Sequence, residues 1–425
     1  MEFLQLILIL TIIAALVQIV TWVHRAEYAA AVFGAAYVVV YLCDILNISF
    51  SGVTYIAASI GARSASSEAI SVAIFFLVTT WILYSFGVEI ISARWKSQRI
   101  DSLVLIDRNF SLFGFLALSG TFGGAVLSKI LSVGIAQTLE LRQSVFSDNF
   151  LILLGYFVLP VLVSLGLTRA VQIRGARALI MWISLAGLLG VTALTGSRSG
   201  LFLGAVIPVL ALYWKKIAAS ARSVKRDLQR VFLVAALIAV PVLGGGVYLA
   251  NTRGLVESAS FLNGTDVSQA DVFVDLIASD AGGVAGGSTY LASITSAVPR
   301  SLWAEKPLPG NVVSSMVLTP DRYFLTGAET TAGLLGEAFI NVGWMAPMIA
   351  AGLMIIFLLL CSRFLASRDD ILWMVGIILL IRGLNLLRGD MTNVVVPSMT
   401  AIIVWYVLYK KAKPGIAPRV PVGAR

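Results

Sequence analysis

Four arginines and two carboxylates command attention because each lies beside or inside apolar sequence, where a charge has to be used. Arg198 falls in "TGSRSGL" (195–201), between the apolar runs "ALIMWISLAGLLGVTAL" and "FLGAVIPVLALYW". A guanidinium pairs bidentately with phosphate, and an arginine at membrane depth is by default tied to function. Ser197 and Ser199 add donors, while Gly196 and Gly200 allow close approach of backbone or ligand. The competing reading is an arginine that snorkels to headgroups from a tight turn. Arg300 and Lys306 lie in "AVPRSLWAEKPLPGN" (297–311), stiffened by Pro299, Pro307 and Pro309, with Trp303 suited to an interface. Either these cations grip phosphate or sugar, or they anchor to lipid headgroups. Arg322 follows, and Arg388 closes the helix-like part of "IRGLNLLRGDMTN" (381–393), where it serves an anion or pairs with Asp390.

The carboxylates Glu329 and Glu337 lie in "TGAETTAGLLGEAFINVGW" (326–344). Glu337 is inside the apolar part, and Asn341 is one helical turn later on the same face. A carboxylate buried there needs a partner. It is either half of a structural ion pair or a base or hydrogen-bonder for a substrate. Arginines that neutralise phosphate, with a carboxylate to take a proton from an incoming hydroxyl, suit displacement at a lipid pyrophosphate. An anion transporter would use the same set. The glycine-rich "AGGVAGGSTY" (281–290) is either an anion-binding nest or a connector.

These residues must be positioned by membrane-spanning helices. The chain has 425 residues, 59% hydrophobic and 12% charged, with a mean hydropathy of +0.93. A soluble domain carries about 25% charge. Apolar runs of roughly 20 residues, the length that crosses a bilayer core, predict an all-α polytopic protein. Its eleven spans fall near 3–22, 29–47, 69–92, 110–135, 150–168, 178–196, 199–214, 231–250, 334–361, 371–387 and 393–409. The first run lacks the flanks of a cleaved signal peptide and reads as a span. The division is then 1–250 for spans one to eight, 251–332 for one large loop, 333–409 for spans nine to eleven, and 410–425 for a basic tail.

The net charge of +9 does not point to nucleic acid, because the positive residues cluster in short connections and the tail. "RWKSQR" (94–99), "RAVQIRGAR" (169–177), "KKIAASARSVKRDLQR" (215–230), "SRFLASRDD" (362–370) and the tail all fall on one side when spans alternate. By the positive-inside rule that side is the cytoplasm, which places the N-terminus outside and the C-terminus inside. The loop 251–332 is then external. It carries four basic and eight acidic side chains, and a connection this long implies a job. Its pieces "DVFVDLIAS" and "TYLASITSAVPRSLW" read as amphipathic helices lying on the membrane surface. "TGSRSGL" also falls outside. The segment Leu201 to Trp214 would reach only ~21 Å at 1.5 Å per residue, which recesses Arg198 into the outer leaflet. Cys43 and Cys361 sit in or beside apolar runs, and with the single His24 they make no metal site.

"LTGSRSGLFLGAVIPVL", then a long outer loop with "VPRSLWAEKPLPGN", then "GLLGEAFINVGWMAPMIAAG", resembles the bacterial O-antigen and exopolysaccharide repeat-unit polymerases of the Wzy type. The likeness covers roughly 190–400. It implies a GT-C-like fold and a metal-independent inverting glycosyltransferase of the bacterial inner membrane, with its site on the periplasmic side and no cofactor. The donor and acceptor would be undecaprenyl-pyrophosphate-linked oligosaccharides, and a chain-length regulator protein would be a partner. By this resemblance Arg198 and Arg300 match the family's arginine-bearing positions and contact pyrophosphate. Some members carry an arginine with a glycine eleven positions on, and both Arg253 with Gly264 and Arg322 with Gly333 fit. The related O-antigen ligases generally carry a histidine in the large outer loop. Here the sole histidine, His24, is predicted to be cytoplasmic. The expected site therefore comprises Glu337 and Glu329 as catalytic carboxylates and Arg198, Arg300, Arg322 and Arg388 at the pyrophosphate. Ser197, Ser199, Trp303, Lys306 and Asn341 would contact sugar.

Overall fold

A computed structural model describes residues 2–25, 27–54, 63–97, 108–140, 145–146, 150–170, 173–195, 269–296, 298, 302–326, 329–367 and 370–411. Ser197, Arg198, Ser199 and Arg300 lie outside the described residues, as do Arg253, Gly264 and the spans expected at 199–214 and 231–250.

The protein is an all-α polytopic membrane protein. Seven helices among the described residues are long and apolar enough to cross a bilayer: Glu2–His24, Tyr28–Ser51, Ser67–Ser92, Leu112–Val133, Leu151–Ala170, Ala176–Leu194 and Gly333–Leu365. A shorter apolar helix covers Thr392–Leu408. The first of these buries little. Phe3, Leu6, Leu10, Ile13 and Val17 stay exposed on it, an apolar surface suited to the hydrocarbon of a bilayer.

The described residues cluster into two compact units. The first draws on Met1–Gln98, Ser223–Ala366 and Gly376–Met399. In it α1 (Glu2–His24) packs on α2 (Tyr28–Tyr37), which continues through a π-helical turn (Val38–Leu42) into α3 (Cys43–Ser51). A two-residue hairpin, β1 (Val53–Thr54) with β2 (Arg63–Ser64), leads to the long α4 (Ser67–Ser97). The second unit draws on Arg99–Arg222, Ser367–Val375 and Thr400–Arg425. It contains β3 (Arg108–Phe110), α5 (Leu112–Leu118), a π-helical turn, α6 (Gly124–Val133), α7 (Ile135–Glu140), α8 (Phe150–Ala170) and α9 (Ala176–Leu194). There α8 packs along α9.

Back in the first unit come five shorter helices: α10 (Ala270–Ala278), α11 (Ser288–Ile294), α12 (Gly310–Leu318), α13 (Pro320–Thr326) and α14 (Gly333–Val342). The expected span 334–361 falls within the candidate span Gly333–Leu365, which is broken once along its length. Gly343, at φ +57°, ends α14, and a 3-10 turn (Gly343–Met345) with Pro347 just beyond starts α15 (Ala346–Leu365) afresh. α15 packs along α4. The described residues end with α16 (Asp370–Arg388), α17 (Thr392–Leu408) and β4 (Tyr409–Lys411), which pairs with β3.

One further expectation is corrected. The "DVFVDLIAS" segment is helical, as α10, but it does not lie on a surface. Val272, Phe273, Val274 and Leu276 are buried together with Asp271 and Asp275, and α10 packs on α4 and α14. The Asp44 carboxylate makes this burial tolerable by accepting from the Ala270 and Asp271 N–H groups (2.9 and 3.3 Å) at the helix start, where N–H groups have no acceptor within the helix.

Candidate functional site

The polar centre of the first unit is assembled around α14. Its sequence "GLLGEAFINV" is buried along nearly its whole length, Glu337 and Asn341 included. Two aromatic-assisted ties bring its first turn to the end of α16. The Tyr41 hydroxyl donates to the Leu387 carbonyl at 2.6 Å and accepts from the Leu335 N–H at 3.4 Å. Gly333 sits directly against that hydroxyl at φ +66°, and a Cβ there would be 2.6 Å from Tyr41 Oη and 2.9 Å from Gln269 Oε1. Only glycine meets both the backbone conformation and the space.

Glu337 then points into a cage of neutral donors. Thr289 Oγ1 donates to Oε1 at 2.8 Å and the Met391 N–H to Oε2 at 2.7 Å. Asn341, one turn on, donates to Thr289 Oγ1 (2.6 Å) and to the Glu337 carbonyl (2.7 Å). The glycine-rich 281–290 stretch is what delivers Thr289. It is an ordered turn whose Gly283 and Ala285 N–H groups donate to the last carbonyls of α14, at Phe339 (3.0 Å) and Ile340 (2.8 Å). Gly310 closes the cage, since a Cβ there would stand 2.8 Å from Glu337 Oε1. Glu337 is 0% exposed. Among the described residues its side-chain partners are neutral, and the ion pairs there are Arg25–Glu89 (2.7 Å) and Arg63–Asp275 (3.8 Å). A buried carboxylate is tolerated when hydrogen bonds replace its hydration.

Two more carboxylates collect at the start of α12. Asp390 is 1% exposed. It accepts from the Asn393 N–H and Nδ2 (3.0 and 2.7 Å) and, more weakly, from the Asn311 N–H (3.5 Å). The helix dipole favours negative charge at this end. Glu329 accepts from Asn311 Nδ2. Consecutive serines of α12 fix it there by clamping the next residue: Ser314 Oγ donates to the Thr330 carbonyl (2.5 Å) and the Thr330 N–H donates to Ser315 Oγ (2.7 Å). Burial, with the Asp390 charge adding to it, pushes Glu329 up to about 7. Burial also raises Asp390, against the hydrogen bonds from Asn393 and Asn311 that favour its ionised form.

Of the expected site residues, the structure therefore brings Glu329, Glu337 and Asn341 into one region. Lys306 has a structural use there, donating from Nζ to the Ser296 and Val298 carbonyls (2.9 and 3.1 Å). This folds the segment bearing the half-buried Trp303 back onto the end of α11. Arg322 is half-buried on α13, and Arg388 is exposed at the end of α16. Asp390 turns to the asparagines on either side of it. Sequence reasoning passed over Asn311, Thr289, Asn393 and the two serines. A usable signal was present for Asn311, because "PLPGN" before an apolar run marks a helix start. Among the described residues no group of three His, Cys, Asp and Glu side chains is placed to hold a metal ion. Comparison of the chain with protein-family models, with curated proteins and with solved structures finds no match.

Proposed function

We propose that this protein polymerises undecaprenyl-pyrophosphate-linked oligosaccharide repeat units into a surface polysaccharide at the periplasmic face of the inner membrane. In this reading the chain has eleven spans, an external N-terminus, a cytoplasmic C-terminus and a periplasmic 251–332 loop. The order of the "TGSRSGL", "VPRSLWAEKPLPGN" and "GLLGEAFINVGW" motifs supports it. The observation that carries it is the placement of Glu329, a partly buried carboxylate held at Asn311 by the serine clamp on Thr330 among residues of the large loop, with burial raising its proton affinity. A base tuned close to the working pH is the most effective kind.

The acceptor hydroxyl would give its proton to the Glu329 carboxylate as its oxygen bonds to the donor's anomeric carbon. The bond from that carbon to the phosphate oxygen breaks, and its electron pair leaves with the pyrophosphate. Arg198, Arg300, Arg322 and Arg388 would stabilise that developing charge, and Ser197, Ser199 and Trp303 would contact sugar. Glu337 takes a different part from the one its sequence position suggests. Both its oxygens are occupied and it has no exposed surface, so it positions the loop and does not act as the base.

The direct test is purified full-length protein with a lipid-linked repeat unit, assayed for a product ladder without added metal. Arg198→Ala and Arg300→Ala are expected to abolish polymer at unchanged membrane levels. Full-length polymer from the double variant would sink the pyrophosphate assignment. A deletion strain separates the other readings. Single-repeat products fit a lost polymerase, long unattached glycan a lost ligase, and lipid-linked units retained on the cytoplasmic side a lost flippase.

A further inference from the structure

Asn311 stands at the helix start that "PLPGN" marks, but nothing in the sequence announces the two carboxylates that it meets there. It is the second residue of α12, so its N–H has no partner within the helix and is directed at Asp390 Oδ2. Its side-chain Nδ2 donates to Glu329 Oε2. One residue thus touches two carboxylates, and its remaining polar atom, Oδ1, is buried with no partner. An unpaired buried acceptor is costly. The two ends of an asparagine amide are nearly equal in shape. Turning the amide over would place Oδ1 against Glu329, where it could accept a hydrogen bond, but only from a protonated carboxyl.

We propose that Asn311 is the positioning residue for Glu329 in both protonation states: its amide donates to the carboxylate before proton transfer, and turns to accept from the carboxylic acid afterwards. This deepens the glycan-polymerase reading and rests on it only for the identity of the reaction. A base that takes a proton changes from acceptor to donor. A neighbour able to answer both forms keeps it aimed through the whole cycle, and an amide carries both functions on one rigid plane without taking up a proton itself. The clamp of Ser314 and Ser315 on Thr330 keeps Glu329 at this amide. Glu329 titrates near neutrality, with burial as the main cause and Asp390 as the second. Other ionisable groups on helices packed against α12 are Asp271 and Asp275 on α10, Tyr290 on α11, Asp321, Arg322 and Tyr323 on α13, and Glu337 on α14.

The test reads Glu329 itself and needs no substrate. Full-length protein in lipid nanodiscs is titrated by infrared difference spectroscopy, with the Glu329 carboxyl band assigned by its loss in Glu329→Gln. Asn311→Asp, close in shape but without the amide donor and with an added charge, is expected to raise the Glu329 midpoint by at least one pH unit, a tenfold higher proton affinity. Asn311→Ala, which removes the donor without adding charge, is expected to raise it by less: both bonds are lost, and the one to the ionised carboxylate is the stronger. An unchanged midpoint in both variants overturns the proposal, and if Asn311→Asp does not accumulate, Asn311→Ala alone decides. With a lipid-linked repeat unit, Asn311→Ala should lower kcat by about a hundredfold, in the range of a misaligned general base, with KM within twofold. Asn311→Gln should restore part of the loss. A fall confined to protein level, with kcat intact, would also overturn it. Shifted midpoints in a protein that makes no polymer would instead retire the polymerase reading and leave the positioning role standing.

Discussion

A carboxylate in an apolar protein either holds architecture or moves a proton, and the partners of its two oxygens decide which. Glu337 has a donor on each oxygen, from Thr289 and from the Met391 N–H. Glu337→Gln keeps the shape and an acceptor, and it is expected to retain most activity and stability. Glu337→Leu strands the two donors, at about 1–3 kcal/mol for each left buried and unpaired. Melting curves and polymer assays of the two variants check this, and loss of turnover in a fully folded Glu337→Gln protein would return Glu337 to the chemistry. Glu329 behaves in the opposite way. Its pKa rises from 4.5 to about 7 on folding, so between those values the native state binds more protons than the unfolded state. Stability is then fully present below pH 4.5 and declines as pH rises through about 7. Thermal denaturation across that window should show the decline in wild-type protein and a flatter profile in Glu329→Gln. Equal slopes would mean that Glu329 is ionised throughout.

Short elements, more than the long spans, place these groups. Gly333 links α14 to the Tyr41 hydroxyl, and Gly333→Ala should cost about 1–3 kcal/mol in backbone strain besides the clash. Tyr41→Phe removes the oxygen that an added Cβ would strike, so the double variant should lose less than the two single losses summed. Strict additivity in a double-mutant cycle of unfolding would show that the strain at Gly333 does not involve Tyr41. The same elements explain what the sequence reveals and conceals. Long apolar runs announce most of the described spans, and the pairing of Asn341 with Glu337 follows from helical spacing alone. α10 was misplaced because amphipathic spacing gives the angle of a polar face and not what covers it. Here Asp44 caps the start of α10 and Thr54 takes up Asp275. Nor does any spacing bring Asn311 to Glu329 and Asp390, since these meet only through the serine clamp on Thr330 and the turn after α16.

At the scale of the molecule, the carboxylate cluster gathers segments from 289 to 393, with support from Tyr41, so it forms only when distant stretches of chain have folded together. α15 gives it a direction with respect to the membrane. Its 20 residues extend about 30 Å at 1.5 Å per residue, the thickness of a bilayer core. In a helix that crosses the bilayer, its Ala346 end, next to α14 and Glu337, and its Arg363 end would belong to opposite faces. The polymerase reading requires the first face to be external, because the 251–332 loop must meet lipid-linked sugar there. Glu305 and Arg363 are both exposed and report the two faces. In a background carrying Cys43→Ser and Cys361→Ala, a membrane-impermeant maleimide should label Glu305→Cys on intact cells. Arg363→Cys should react only after the inner membrane is opened. The reverse pattern would put the carboxylates on the cytoplasmic side, and the proposed polymerisation would fall with the orientation.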